Sequence, residues 1–223
     1  MTRLESRARL FACLLSALAG FVDAIGFIQT GGFFVSFMSG NSTRLGVGIA
    51  ESARSALVAT AIILCFLVGV IGGTLIGSRF ERRRPAAVLF AIAAAIALAG
   101  VLEIRGGSGV GYAIALLALA MGAENAVFEQ GGEVRFGVTY MTGSLVRVGN
   151  GIASAILGRD GNGWAGYLLL WLGFVAGAVA GASCYGLGAR ASLWAASAAA
   201  AALALISLRL LAAGSLHASP AGR

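Results

Sequence analysis

Apolar stretches alternate with short polar breaks along nearly the whole chain. Six of these stretches have about 17 to 24 residues, and about 20 residues suffice to cross the hydrocarbon layer of a bilayer. The pattern therefore predicts an all-α integral membrane protein with about six transmembrane helices. The predicted spans are about Leu10–Ile28, Ser55–Ile76, Ala86–Leu102, Val110–Phe128, Trp164–Leu187 and Ala191–Leu211.

Two polar segments between these stretches are copies of each other. Residues 33–50 read FFVSFMSGNSTRLGVGIA and residues 136–153 read FGVTYMTGSLVRVGNGIA, and nine of the eighteen aligned positions are identical. Weaker matches flank them, since Gly20, Asp23 and Ala24 correspond to Gly122, Asn125 and Ala126. The repeat predicts a single membrane domain, residues 1–223, built from halves at about 10–105 and 110–213.

The arginines predict how these halves lie in the membrane. One cluster precedes the first helix, and a second cluster occupies Arg79–Arg84. Basic loops remain on the cytoplasmic side, so an even number of crossings must separate the two clusters. The repeated segment at 33–50 is therefore predicted to break or re-enter rather than to cross. Three crossings per half then give an inverted pair of repeats with both termini cytoplasmic.

Composition excludes several classes of function. The net charge of +7 comes from arginines near helix ends, which indicates orientation in the bilayer rather than a nucleic-acid partner. The three cysteines, Cys13, Cys65 and Cys184, each lie in an apolar run without metal-ligand spacing. No catalytic motif or phosphate-binding loop occurs. We therefore expect no enzyme activity, no cofactor and no metal.

The repeated segments carry the candidate chemistry. Ser39, Asn41 and Ser42 favour helix N-caps, which predicts a break near Met38–Asn41 and then a short helix that carries Arg44. A helix that begins inside the membrane exposes N–H groups suited to an anion or a polar solute. The candidate substrate-binding residues are Asp23, Ser39, Gly40, Asn41, Ser42, Thr43, Arg44, Glu124, Asn125, Thr142, Gly143, Ser144 and Arg147.

Two interpretations of the charged groups are compatible with the sequence. In the first, Asp23 pairs with Arg44 or Arg147 and Glu124 with the other arginine, and these buried ion pairs fix how the halves cross. In the second, the same groups bind a substrate or carry a coupling proton. Intramembrane charges are costly, and they pair or face water in either case.

The stretches AGFVDAIGF and FFVSFMSGNSTRLGVGIA resemble the signature of the YoaK-like bacterial membrane proteins. The Tyr140–Gly143 stretch followed by Arg147 also fits, and the similarity covers nearly the whole chain. The resemblance implies a bacterial inner-membrane protein of about six helices whose activity is not established. It carries over no catalytic or binding residues.

The leading hypothesis is a small secondary transporter or exporter of a polar or anionic solute, with its site between the two repeated segments. One alternative is a channel formed by a homo-oligomer, with subunit contacts at repeated glycines. Another is a non-transport scaffold or an enzyme that acts on lipid. Four-residue glycine spacing lets helices approach closely. It occurs at Gly69, Gly73 and Gly77, which we align with Gly173, Gly177 and Gly181 at an offset of 104.

Overall fold

The computed structural model describes residues 3–103, 108–130, 133–134, 140–159 and 163–213. In these ranges the chain forms eight α-helices, two short strands and two 3₁₀ turns. The helices are α1 Arg3–Thr30, α2 Met38–Glu51, α3 Ala53–Arg79, α4 Arg84–Glu103, α5 Ser108–Glu124, α6 Met141–Ile156, α7 Trp164–Tyr185 and α8 Ala189–Ala212. The antiparallel strands are β1 Glu129–Gln130 and β2 Glu133–Val134, and the 3₁₀ turns are Glu81–Arg83 and Asn125–Phe128.

Six of the described helical segments are long and apolar enough to cross a membrane, and they match the six predicted spans. The remaining helices, α2 and α6, are the repeated segments. They have 14 and 16 residues, which is about 21 and 24 Å of helix against a hydrocarbon core of about 30 Å. Their length therefore argues against full crossings.

The direction of α8 relative to α4 supports the same conclusion for α6. The Ser197 hydroxyl donates to the carbonyl of Ala93 at 2.9 Å, and Gly100 lies against the side chain of Leu193. Residue numbers rise along one helix as they fall along the other, so α4 and α8 are antiparallel. Since α5 and α7 both cross the membrane, α8 is antiparallel to α4 only if α6 does not cross.

The direction of α7 relative to α1 extends this conclusion to α2. Gly173 packs against Cys13, Gly177 against Ala17 and Gly181 against Phe21. Residue numbers rise together, so α1 and α7 are parallel. With α6 not crossing, this direction requires that α2 does not cross either. The predicted pair of inverted three-helix repeats, each with a re-entrant polar segment, is therefore confirmed.

The two halves interleave rather than pack as separate blocks. The largest helix contacts join α1 to α7, α3 to α5 and α4 to α8, so each pairing takes one helix from either half. The buried share of the span is 61% in both α1 and α5, but 22% in α3 and 17% in α7. Therefore α1 and α5 form the centre of the protein, while α3 and α7 present most of their surface outward.

Glycines allow the backbones of the interleaved helices to touch. A Cβ on Gly177 would overlap the carbonyl of Ala17, and a Cβ on Gly69 would overlap the carbonyl of Leu119. Small residues permit this close approach in a membrane, where apolar side chains gain little by leaving lipid. Gly73 and Gly181 continue the two seams, which lie within one chain. Whether the protein also forms homo-oligomers stays a prediction.

The predicted pairing of the two glycine triplets is wrong by one helical turn. Equivalent contacts relate Gly69 to Gly177 and Gly73 to Gly181, an offset of 108 rather than 104. In the sequence the same offset matches Phe66 to Phe174, the residue three before the first glycine of each pair. The longer connection between α6 and α7 shifts this register. Gly77 lies against the side chain of Arg84, at the start of α4, instead of the backbone of a neighbouring helix.

Candidate functional site

A glycine pair ends α1 and opens the first polar segment. Gly31 and Gly32 have φ values of +67° and +119°, which are conformations that side chains disfavour. The Gly32 N–H donates to the carbonyl of Phe27 at 2.8 Å, which closes the last turn of α1. The Thr30 hydroxyl then accepts from the Phe33 N–H at 2.9 Å. The chain thus leaves α1 in a defined turn and folds back into the protein.

Two buried polar side chains hold the returning chain in place. One Asp23 oxygen accepts the N–H groups of Val35 and Ser36, each at 2.8 Å. Asn41 accepts from the Phe34 N–H at 3.0 Å and donates to the Phe34 carbonyl at 2.6 Å. Asp23 is 5% exposed and Asn41 is fully buried. Both side chains therefore satisfy irregular backbone at depth, which a membrane protein requires.

The predicted cap residues do not begin the short helices. Helix α2 begins at Met38 after Phe37, and α6 begins at Met141 after Tyr140, with no side-chain cap in either case. Asn41 lies inside α2, and its side-chain amide bonds to both backbone groups of Phe34 instead of capping the helix. The break itself lies at residues 31–37, several residues before the predicted position. Residues 136–139 of the second copy lie outside the described residues.

The aromatic residue before each short helix covers a glycine in its first turn. The Phe37 ring lies on Gly40, and the Tyr140 ring lies on Gly143. These pairs occupy equivalent positions of the repeat, and a Cβ on either glycine would meet the ring. The glycine of each Met-Ser/Thr-Gly sequence is therefore explained by this ring contact.

The two short helices begin beside the same face of α1. Asp23 binds the segment just before α2, while the Ser16 hydroxyl lies 3.8 Å from the sulfur of Met141, the first residue of α6. Seven residues separate Asp23 from Ser16, so both side chains lie on one helix face about 10 Å apart along the axis. From there α2 and α6 run to opposite sides of the membrane.

This arrangement separates the two arginines that were predicted to share a site. The Arg44 guanidinium lies beside Gly32, just beyond the end of α1. Arg147 donates to the Tyr167 hydroxyl at 2.9 Å. Tyr167 follows Gly166, and Gly166 lies near Arg9 at the other end of α1. The axial separation is therefore about 30 Å. The two arginines therefore do not lie side by side, because each short helix carries its arginine outward; that they bind a solute stays a prediction.

The predicted ion pairs are also wrong for the described residues. Arg44 lies over the Phe33 ring at 5.0 Å, and Arg147 lies over the Tyr167 ring at 4.9 Å. Asp23 is occupied by backbone N–H groups, and neither oxygen of Glu124 has a hydrogen-bond partner. Cation–π contacts and backbone bonds therefore replace the expected carboxylate–arginine pairs.

Several candidate hydroxyls bond within their own segment. Ser42 donates to the Met38 carbonyl, Thr43 to the Ser39 carbonyl and Ser144 to the Tyr140 carbonyl. Ser39 and Thr142 are exposed in the first turns of α2 and α6. Neither of these two hydroxyls takes part in a described hydrogen bond. They are therefore the candidate polar groups near the helix N-termini that are available to a solute.

A small cleft adjoins the outer half of α2. Its cavity volume is about 180 Å³, and Arg44 and Glu51 contribute one charge of each sign. The remaining lining residues are Phe33, Thr43, Val47, Gly48, Ser52 and Ser55. The cleft therefore offers a cation, an anion and hydroxyls to a solute at one membrane face.

The second half differs from the first at the position of Asp23. Its counterpart Asn125 donates to the carbonyls of Met121 and Gly122 on its own helix. The preceding residue, Glu124, is fully buried where the first half has Val22. No group of three or more acidic, cysteine or histidine side chains able to hold a metal occurs among the described residues.

The family model described as "Protein of unknown function (DUF1275)" matches residues 11–206. The chain belongs to this family. The match includes both short helices, four of the spans completely and most of the first and last spans, so it extends over nearly all of the interleaved fold. The sequence resemblance to the YoaK-like proteins is confirmed by the relatives that follow.

Two curated relatives are transmembrane proteins. The UPF0700 transmembrane protein RA0705 of Rhizobium meliloti is 36% identical over 173 residues, which covers 75% of this chain and 72% of the relative. The UPF0700 transmembrane protein YoaK of Bacillus subtilis is 30% identical over 138 residues, which covers 59% of this chain and 61% of that protein. This chain is accordingly a multi-pass membrane protein. No solved structure matches it.

Some residues that shape the site were missed from the sequence. Phe33 and Tyr167 hold the arginines, and Ser197 joins α4 to α8. The Gly31–Gly32 pair was a usable signal, since two successive glycines after an apolar helix favour a turn. The arginine–aromatic contacts had no comparable signal, because they join residues on separate elements.

Proposed function

We propose that the protein is a secondary transporter or exporter of a small polar or anionic solute in the bacterial inner membrane. The observation that carries the proposal is the opposed pair of short helices. Their N-termini meet one face of α1 near Asp23 and Ser16, and the helices run to opposite surfaces. Inverted repeats with discontinuous helices at mid-depth are typical of secondary transporters.

The geometry supports a path rather than one closed site. Ser39 and Thr142, in the first turns of α2 and α6, supply hydroxyls near mid-depth. Arg44 and Arg147 supply a positive charge at opposite mouths, where each attracts an anion toward the nearer helix N-terminus. A solute would thus meet one arginine, then the two helix starts, and then the other arginine.

The charge distribution supports an orientation. Six crossings with non-crossing α2 and α6 bring the start of α1, the α3–α4 turn, the α6–α7 turn and the end of α8 to one side. Basic residues concentrate there, which favours the cytoplasm for that side and for both termini. Those described near it include Arg7, Arg9, Arg79, Arg82, Arg83, Arg84, Arg147, Arg159 and Arg209, whereas Arg44, Arg54 and Arg190 lie toward the opposite side.

Uptake into liposomes tests the proposal. Purified protein would be screened by thermal shift against inorganic anions, amino acids and dicarboxylates, and stabilising solutes would be tested for counterflow. We expect Arg44→Gln and Arg147→Gln to lower uptake about tenfold or more, since a charge-assisted hydrogen bond contributes about 1.5–3 kcal/mol. The matched control is Arg54→Gln at the start of α3, outside both short helices.

The outcomes separate the alternatives. Uptake that saturates and exchanges with trapped solute supports a carrier, whereas conductance that rises linearly with concentration supports a channel. The proposal is overturned if no solute in the screen stabilises or crosses, or if both arginine variants transport like the wild type. Release of a product from lipid by the purified protein would instead favour an enzyme and contradict the transporter proposal.

A further inference from the structure

Glu124 is the most unusual ionisable group in the described part of the chain. It is the last residue of α5, it is 0% exposed, and neither of its carboxyl oxygens has a hydrogen-bond partner. An isolated buried carboxylate is strongly unfavourable, and buried charges are normally paired or hydrogen-bonded. A neutral, protonated carboxyl avoids most of this cost.

In the first half of the protein an apolar residue occupies the equivalent position. At the equivalent position α1 carries Val22, which is also fully buried, and α1 continues without interruption to Thr30. In the second half the α-helix stops at Glu124 and continues as the 3₁₀ turn Asn125–Phe128. This 3₁₀ turn is the last turn of the span Gly111–Phe128; 3₁₀ turns are frequent at helix ends, and inside a helix they often mark a hinge. The acid therefore lies where, in the described residues, the central helix of the second half departs from the form of its counterpart in the first half.

The surroundings argue against an ion pair or a metal ion at this position. Glu124 belongs to no metal-holding cluster among the described residues, and one carboxyl cannot supply the several oxygen ligands that a cation requires. None of the described ionisable groups hydrogen-bonds to it. The ionisable residues with described side chains at this end of the packed elements include Arg9 and Cys13 of α1, Arg79 of α3 and Arg84 of α4. The strand pair that follows carries Glu129 and Glu133 in its sequence.

The sequence left the coupling group open between Asp23 and Glu124, and the structure separates their roles. Asp23 already accepts two backbone N–H groups, so protonation would weaken the bonds that hold the first polar segment. Glu124 has no bond to lose when it takes up or releases a proton. A group that changes charge without breaking the fold is the one suited to a transport cycle.

We propose that Glu124 is the proton-binding group of the transporter, protonated in the enclosed conformation and ionised when motion at Asn125–Phe128 exposes it to water. This inference rests on the proposed function and names its coupling ion. In the cycle a carboxylate oxygen takes a proton from water on one side, and the carboxylic acid returns that proton to water on the other side. No other reactant is needed.

Infrared difference spectroscopy of the protein in liposomes tests the inference without a known solute. We expect a protonated-carboxyl band that disappears at alkaline pH and shifts after exchange into deuterium oxide. The band is expected to be absent from Glu124→Gln and to remain in the control Glu103→Gln, whose carboxyl also has a buried oxygen without a partner. If Glu124→Gln does not fold, Glu124→Val reproduces the residue of the first half and replaces it.

Two results would overturn the inference. One is the absence of any band that depends on Glu124, which would mean that the carboxyl stays ionised. The other is a band that neither titrates nor exchanges with deuterium, which would mean a sealed structural acid. A band that titrates, in a protein that moves no solute, would instead refute the transporter and leave the proton site. Solute uptake that does not depend on a pH gradient or on Glu124 would instead refute the proton site and leave the transporter.

Discussion

Alanine substitution at two neighbouring glycines of α3 tests the interleaved packing directly. A Cβ on Gly73 would lie 2.7 Å from both the Cα and the carbonyl oxygen of Ala123, whereas a Cβ on Gly72 would meet nothing within 4 Å. Both changes gain about 0.5–1 kcal/mol of helix preference over glycine. Only Gly73→Ala forces α3 away from α5, and overpacking costs about 1–3 kcal/mol. Gly73→Ala should therefore be the less stable variant by about 1–3 kcal/mol.

Thermal unfolding of the purified protein in detergent, followed by tryptophan fluorescence, measures this difference. At about 2–4 °C per kcal/mol for a chain of this size, Gly73→Ala should melt several degrees below Gly72→Ala. The same test in the second half compares Gly181→Ala, which clashes with the backbone of Phe21, with Gly166→Ala, which makes an ordinary contact. Equal melting temperatures within both pairs would show that the halves do not interleave at these glycines.

Three further predictions use the same unfolding assay. Asp23→Ala leaves the N–H groups of Val35 and Ser36 without their acceptor and should cost about 1–3 kcal/mol for each; an unchanged melting temperature would show that Asp23 does not hold the segment. Glu124→Val should stabilise the fold by about 1–3 kcal/mol, because it removes a buried polar group without a partner; a large destabilisation would indicate a structural partner. Ser197→Ala should lower the free energy of unfolding by about 0.5–1.5 kcal/mol, because the hydrogen bond to Ala93 is lost. Ser207→Ala should cost less, because the Ser207 hydroxyl bonds within its own helix. Equal losses of stability would contradict the α4–α8 bond.

The sequence predicted the spans and the inverted topology because both follow from local chemistry. The length of an apolar stretch decides whether a helix crosses the bilayer. The arginine clusters before Leu10 and at Arg79–Arg84 lie on one side, so the number of crossings between them must be even. The length of α2 and the parallel packing of α1 against α7 confirm that count. Neither signal depends on which helices are neighbours, so both could be found in the sequence alone.

The site was predicted less well, because its residues were assigned by type rather than by position. Asp23 and Asn41 looked like solute ligands, yet both bond to backbone that would otherwise be unsatisfied at depth. Arg44 and Arg147 looked like partners because their repeat positions match. An inverted repeat places equivalent residues on opposite sides of the membrane. The equivalence of Arg44 and Arg147 therefore implied that the two arginines lie apart.

The sequence by itself determined that the chain crosses a bilayer six times in two inverted halves and that each half carries one short polar helix. These features are set by hydrophobic length, loop charge and glycine breaks within a few turns of chain. Only the tertiary structure decided that the halves interleave through α1–α7 and α3–α5, and that Glu124 is enclosed without a partner while Asp23 is not. Those properties depend on which surfaces meet across more than a hundred residues, and packing rather than local preference selects them.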